Sequence, residues 1–404
     1  MDIAHRKATV RLKLRRVDGT PVPGQAIRAD QTSSQFLFGC GCFDSVDLFN
    51  TDDPAKKAFL SQRLDNWLKL FNYATLPFYW GRYEPEEGKP IDAVTMKGAQ
   101  FLRERGVTVK RHPLCWHTAC APWLLQYSNE EIIRKQVARI HRDVGLFKGV
   151  IDMWDVINEV VIMPVFDKYD NAVTRICNEL GQVKLVKTMF EAAREENPGA
   201  TLLINDFNTS PAYEHLIEDL LEAGVEIDVI GIQSHQHQGY WGADKVHDVL
   251  RRFSRFGKPI HFTENTLISG DLMPAHIEDL NDWQVESWPS TPEGEERQAR
   301  EMAEMYDILY SHPQVEAITV WDPCDGAWLG APCGVMRRDN SPKPVYDALM
   351  ERIHGAWETH ATVTTDGEGN AVLTGTKGGY RLTVGDQTVD ISLLRDGEQT
   401  ITLD

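Results

Sequence analysis

The sequence predicts an α/β fold: a (β/α)8 TIM barrel with a small accessory antiparallel β-domain built from the N- and C-terminal segments. Three observations point there. Eight short apolar runs alternate in order with longer amphipathic segments, and both ends instead alternate polar with apolar residues between tight turns. The chain's 404 residues also exceed the roughly 250 of a bare barrel, leaving room for an appendage.

Residues 8–30 alternate around a Val17-Asp18-Gly19-Thr20 turn and read as a β-hairpin. Barrel strands are expected near 35–40 (QFLFGC), 70–76, 107–114 and 151–157, then near 201–206, 227–234, 259–264 and 316–321. Helical patterns lie between them at 54–69, 92–105, 129–146, 179–196, 211–223, 243–256 and 294–311, with a last one over 342–354. Strand and helix in strict alternation imply parallel strands with right-handed crossovers. An open doubly wound sheet normally carries a glycine-rich phosphate turn after its first strand. Here that strand ends in GCGCF, which is not GxGxxG. Residues 360–403 return to short alternating runs separated by DGEGN, TKGG, VGD and RDGE. Neither end buries much surface alone, so the two are expected to meet. The resulting division is 1–32 (N-terminal hairpin), 33–356 (barrel) and 357–404 (C-terminal strands). The accessory domain carries few aromatic residues, essentially Tyr380 within its strands, which favours a structural over a sugar-binding role.

The net charge of −18 argues against nucleic acid as a partner. No run of 18 apolar residues is present to span a membrane. MDIAHRKATV contains no apolar leader core, so the expected compartment is the cytoplasm, or a secreted or periplasmic one if the N-terminus has been trimmed. Seven cysteines (Cys40, Cys42, Cys115, Cys120, Cys177, Cys324, Cys333) lack zinc-knuckle spacing and read as reduced thiols. Oligomeric state is not legible.

Barrel active sites form at the C-terminal ends of the strands. Those ends supply Arg111, His112, Trp116 and His117 from strand three, Asn158 and Glu159 from strand four, and Asn205, Asp206 and Asn208 from strand five. Strand six supplies Gln233, His235 and His237, strand seven Glu264, and strand eight Trp321, with Trp328 in the loop beyond. Each of Glu159 and Glu264 closes an apolar strand, which separates them from the chain's many surface carboxylates. A double-displacement glycosidase needs such a pair, one carboxyl to protonate the leaving oxygen and one to attack the anomeric carbon. Asn158 offers a neutral donor to the sugar 2-hydroxyl, and His235 a partner to orient Glu264. Trp80, Trp116, Trp321 and Trp328 offer flat faces for pyranose rings. Asn205 and Asp206 read equally well as ligands for backbone amides. Trp154 and His261 read as core, the latter as a hydrogen-bonded buried histidine.

At these residues the sequence resembles family 10 glycoside hydrolases, known mainly as endo-β-1,4-xylanases. Trp154 through Glu159 (WDVINE) resembles the acid/base motif, HPLCWH at 112–117 the strand-three motif, and GIQSHQH at 231–237 the strand-six motif. TEN at 263–265 resembles the nucleophile motif, and Trp321 and Trp328 the strand-eight aromatics. The set falls in family order across about 35–355. The resemblance implies Glu159 as acid/base, Glu264 as nucleophile, and His117, Asn158, Gln233 and His235 lining the −1 subsite, with no cofactor and a carbohydrate as substrate. It also exposes a departure. Where the xylanases usually carry a Glu-Asn pair and a Lys before a Trp, this chain has Ala74-Thr75-Leu76-Pro77-Phe78-Tyr79-Trp80. An apolar wall cannot make those hydrogen bonds, so an altered glycone, or a short glycoside with an apolar aglycone, is expected.

Two other readings compete. A metal-dependent barrel hydrolase would use His112, His117, His235, His237 and Glu264, but the first strand lacks the usual His-x-His pair. A non-catalytic carbohydrate-binding barrel would have no need of both carboxylates.

Overall fold

The expected alternation is realised in a computed structural model that describes residues 2–403. Two strands come first, β1 (Lys7–Arg16) and β2 (Ala26–Ser34). Eight follow with helices between them: β3 (Leu37–Gly41), β4 (Tyr73–Pro77), β5 (Thr108–His112), β6 (Met153–Asn158), β7 (Thr201–Asp206), β8 (Val229–Gln236), β9 (Ile260–Leu267) and β10 (Val315–Val320). These close into a parallel barrel in the order β10-β3-β4-β5-β6-β7-β8-β9. Five strands end the chain: β11 (His360–Thr364), β12 (Asn370–Thr376), β13 (Gly378–Val384), β14 (Gln387–Leu393) and β15 (Gly397–Leu403).

Helix starts follow local chemistry. Asp53, Ser210 and Thr291 each accept a backbone N–H at the head of a helix whose first residue is proline. Ser128 and Glu131 form a reciprocal capping box before Asn129–Phe147. The helix expected over 179–196 begins at Gln182, and a second helix, Ala172–Leu180, precedes it. Gly181 separates the two at φ +79°, which ends one helix and lets the chain start another. Strand β9 runs three residues past its expected end, so Glu264 lies within the strand and pairs in register with Gln233 beside a bulge.

The two chain ends do meet, in a manner the hairpin reading missed. The turn at 17–20 forms, with the Arg16 N–H bonded to the Thr20 carbonyl. Yet β1 and β2 do not pair. The first joins a sheet of order β12-β1-β15 and the second a sheet of order β11-β2-β13-β14. Alternation in both strands buries one face each, and these faces (Leu12, Leu14, Ile27, Ala29, Leu373, Leu382) pack as the core of a two-sheet sandwich. A hairpin would leave one of the two sheets without its central strand.

Arg6 fastens this sandwich to the barrel. Its guanidinium donates to the carbonyls of Tyr310, His312 and Val315 at 2.9, 2.7 and 2.6 Å, and lies 4.6 Å from the Phe36 ring. Those carbonyls sit at and beyond the C-terminus of helix Pro292–Ser311, where a cation is favoured. Trp357 stacks on Tyr310 at 4.0 Å beside it. Arg6→Ala is expected to cost about 2–3 kcal/mol by leaving three carbonyls without their charged donor. A lower calorimetric unfolding midpoint, with the sandwich melting before the barrel, would check this.

Candidate active site

The site rises from a polar cluster inside the barrel. Lys110 on β5 and Asp155 on β6 are fully buried, with Nζ 2.6 Å from Oδ2 of Asp155. The same oxygen lies 2.7 Å from Nδ1 of His112. The far nitrogen of that ring, Nε2, is 3.7 Å from Oε1 of Glu264. A buried charge pair of this kind is tolerated only when its partners remain in place.

Glu264 is 4% exposed and held on both oxygens. Asn205 donates to Oε1 at 2.9 Å, and Nε2 of His235 lies 3.0 Å from Oε2. Burial alone would raise this carboxyl, but His112, His235 and Lys110 outweigh it and hold Glu264 below the usual glutamate range. Asn205 is itself aimed by Thr263, which donates to its Oδ1 at 2.5 Å. Gly231 makes room for it: a Cβ there would stand 2.6 Å from that same oxygen.

Glu159 follows β6 directly and takes φ +57°, a left-handed conformation uncommon for a residue with a side chain. The Glu159 N–H donates to the Asn205 carbonyl at 2.8 Å, and Asp206 accepts the N–H of Val161 at 3.0 Å. The end of β7 thus grips the turn from both sides. Trp116 donates to one oxygen of Glu159 at 2.9 Å, and Gln233 to the other at 3.1 Å. Burial, then the negative charges of Glu264 and Asp206, push Glu159 up to about 8. The two carboxyls therefore hold opposite protonation states at neutral pH.

Amide groups link them. Gln233 Nε2 donates to Glu159 and to Oδ1 of Asn158, and Asn205 Nδ2 donates to that same Oδ1 and to Glu264. Asn158 accepts twice at Oδ1, and its buried Nδ2 has no partner among the described residues. Nδ1 of His117 is likewise buried without a partner among the described residues, and burial pulls that ring down to about 4.

Aromatic rings wall the site. Trp321 meets His112 edge-on at 5.2 Å, and Trp328 packs on His235 at 4.5 Å. Tyr79, from the segment after β4, lies 5.9 Å from the His112 ring and 5.6 Å from Trp116.

Three sequence readings need correction. Trp80 offers no free face: it is 5% exposed, bonds to Glu84 at 3.0 Å, and packs against Trp123 and Arg139. Arg111 alternates outward from β5 into a box of Phe78, Tyr83, Phe147 and Trp154. His261 is buried as expected, yet neither ring nitrogen has a partner among the described residues, and burial with Lys110 nearby pulls it down to about 3. Asp206 binds backbone amides, as one of its readings held, whereas Asn205 faces both carboxyls. No three His, Cys, Asp or Glu side chains among the described residues are arranged to share a metal ion. His235 is taken up by Glu264 and Thr266, and His237 packs between Trp288 and Trp328.

Comparison with known proteins adds a family. The model described as glycosyl hydrolase family 10 matches residues 78–352. The chain is similar to an endo-1,4-beta-xylanase/feruloyl esterase of Xylanibacter ruminicola, 27% identical over 319 residues, covering 71% of this chain and 41% of that protein. It is also similar to an anti-sigma-I factor of Acetivibrio thermocellus, 25% identical over 397 residues, covering 94% of this chain and 45% of that one. The chain thus spans less than half the length of either relative. In fold it is similar to a solved family 10 structure from Paenibacillus barcinonensis, with a TM-score of 0.64 at 23% identity, covering 80% of this chain and 96% of that one. No helix among the described residues is long and apolar enough to cross a membrane.

Glu264→Gln removes one of the two negative charges that raise Glu159. The Glu159 titration, followed by carboxyl carbon NMR, is expected to fall from about 8 part of the way toward an ordinary glutamate. An unmoved midpoint would mean that burial and Asp206 hold the proton without help from Glu264.

Proposed function

The chain belongs to glycosyl hydrolase family 10, and on that premise we propose that it cleaves β-glycosidic bonds of a xylo-oligosaccharide-like substrate with retention of configuration. The observation that carries this is the pair of linked carboxyls with opposite protonation. Glu159 keeps a proton for the leaving oxygen, and Glu264 keeps a lone pair for the anomeric carbon.

In the first step Glu264 attacks the anomeric carbon while Glu159 gives its proton to the departing oxygen. The glycosyl-enzyme ester that results is then cleaved by water, which Glu159, now a carboxylate, deprotonates. Esterification removes the charge of Glu264 as Glu159 gains one, and donors fixed beforehand on Glu159, Trp116 and Gln233, stabilise the new carboxylate. The unpartnered Nδ2 of Asn158 supports a bond to the sugar 2-hydroxyl, and the unpartnered nitrogen of His117 a bond to a neighbouring hydroxyl. His112, Gln233, His235, Trp321 and Trp328 complete the wall around that sugar, with Asn205 beneath it.

The departure after β4 bears on specificity. Phe78 is buried and Tyr79 faces the site with His112 and Trp116, so an aromatic edge stands where polar groups would grip the next sugar. This supports weak selection for xylose at −2 and a preference for short glycosides.

Xylo-oligosaccharides and aryl glycosides, with product anomers followed by NMR, test the reading. β-Anomers formed first are expected, and initial α-product would refute it. Glu264→Gln is expected to lower kcat by roughly 10³-fold or more. Glu159→Gln should lose about 10²- to 10⁴-fold on alkyl or sugar leaving groups and far less in the first step on nitrophenyl ones, which need no proton. The pH profile of kcat/KM should fall as pH rises through about 8, where Glu159 loses its proton. On the acid side it should fall only below the usual glutamate range, where Glu264 gains one.

A further inference from the structure

Two loops leave the barrel mouth on either side of β7 and β8, one after β6 and one after β9. The first carries Phe166, which packs on His117 at 4.4 Å and on Tyr169 at 4.9 Å. The second is rooted on the opposite wall. The Met273 N–H donates to the His237 carbonyl at 2.9 Å, and Trp288 packs on the His237 ring at 5.9 Å. Between those roots the loop rises through a short turn at Leu280–Asp282.

The two loops are joined at the top. Nζ of Lys168 lies 2.6 Å from a carboxylate oxygen of Asp279 and 2.6 Å from one of Asp282. The span is continuous from the His117 wall to the His237 wall, and β7 and β8 lie between its two roots. The β6 side of the span begins a few residues after Glu159, the group that faces the departing oxygen in the reaction above. The span therefore bounds the leaving-group end of the site.

We propose that Lys168, Asp279 and Asp282 form a specificity-determining bridge that restricts the leaving group to a short one. This rests on the catalytic reading given above. Neither Lys168 nor its partners touch the reacting atoms; they act by holding two loops together. The three side chains are 34–62% exposed, so the bridge is weak and salt-sensitive. It restricts long substrates by having to open for them, and it leaves short ones alone.

The test is the ratio of kcat/KM for xylohexaose to that for a nitrophenyl xylobioside. Lys168→Met is expected to raise this ratio about two- to fivefold, the range an exposed ion pair can supply, with the aryl substrate unchanged. Asp279→Asn combined with Asp282→Asn breaks the bridge from the other side, while an asparagine at 279 can still cap the turn at Asn281. It should give the same rise. Sodium chloride at high concentration should raise the ratio of the unmodified protein and not that of Lys168→Met. Cleavage of both substrates with an unchanged ratio in both variants overturns the bridge alone. Failure of the unmodified chain to cleave either substrate overturns the catalytic reading, and the bridge with it.

Discussion

One oxygen of Asp155 serves both Lys110 and His112 in the buried interior of the barrel, and the chemistry above it depends on that sharing. Without Lys110 the carboxylate would be an unpaired buried charge, and without the carboxylate the His112 ring would lose what orients it toward Glu264. His112 is in turn foremost among the groups that keep Glu264 ionised against its burial. Glu159, linked to it through the amides of Gln233, Asn158 and Asn205, has no such cation acting on it among the described residues and keeps its proton. The difference between two chemically identical side chains thus starts lower on β6, the strand that leads to Glu159, at a fully buried residue.

The geometry of Glu159 illustrates how the neighbouring strand takes part. A left-handed backbone at a glutamate is costly, and it persists because β7 binds the turn through the Asn205 carbonyl and the Asp206 side chain. Asn205 then uses its amide on Glu264. One dipeptide on β7 therefore sets the position of both carboxyls, which explains why a pair from distant parts of the chain is held in fixed relation.

The barrel and its two carboxyls were legible because their signals are local. Short apolar runs, amphipathic segments between them, and polar residues just past a strand all show in a short window. Lys110 and Asp155 were passed over because each stands inside a strand, where a charged residue reads as one facing solvent. Only closure of the barrel turns that side inward. Arg111 and Trp80 differ from expectation for the opposite reason: a polar or flat side chain near the mouth reads as one that faces it, whereas alternation along β5 and the bond from Trp80 to Glu84 turn both into the packing beneath. The terminal strands showed their alternation but not their partners, since pairing across the whole chain leaves no trace in neighbouring residues.

Those terminal strands carry a kinetic implication. In one sheet β1 lies between β12 and β15, and in the other β2 lies between β11 and β13, so every partner of the first two strands is made after the barrel. During synthesis β1 and β2 must wait, unpaired, while several hundred residues are added and the barrel assembles. Contacts this far apart in sequence form slowly, and the exposed edges of waiting strands are open to wrong pairing. The abundance of charge on β1, with Lys7, Arg11, Lys13, Arg15 and Arg16 along a single strand, suits a segment that must stay apart from its own copies until its true neighbours arrive.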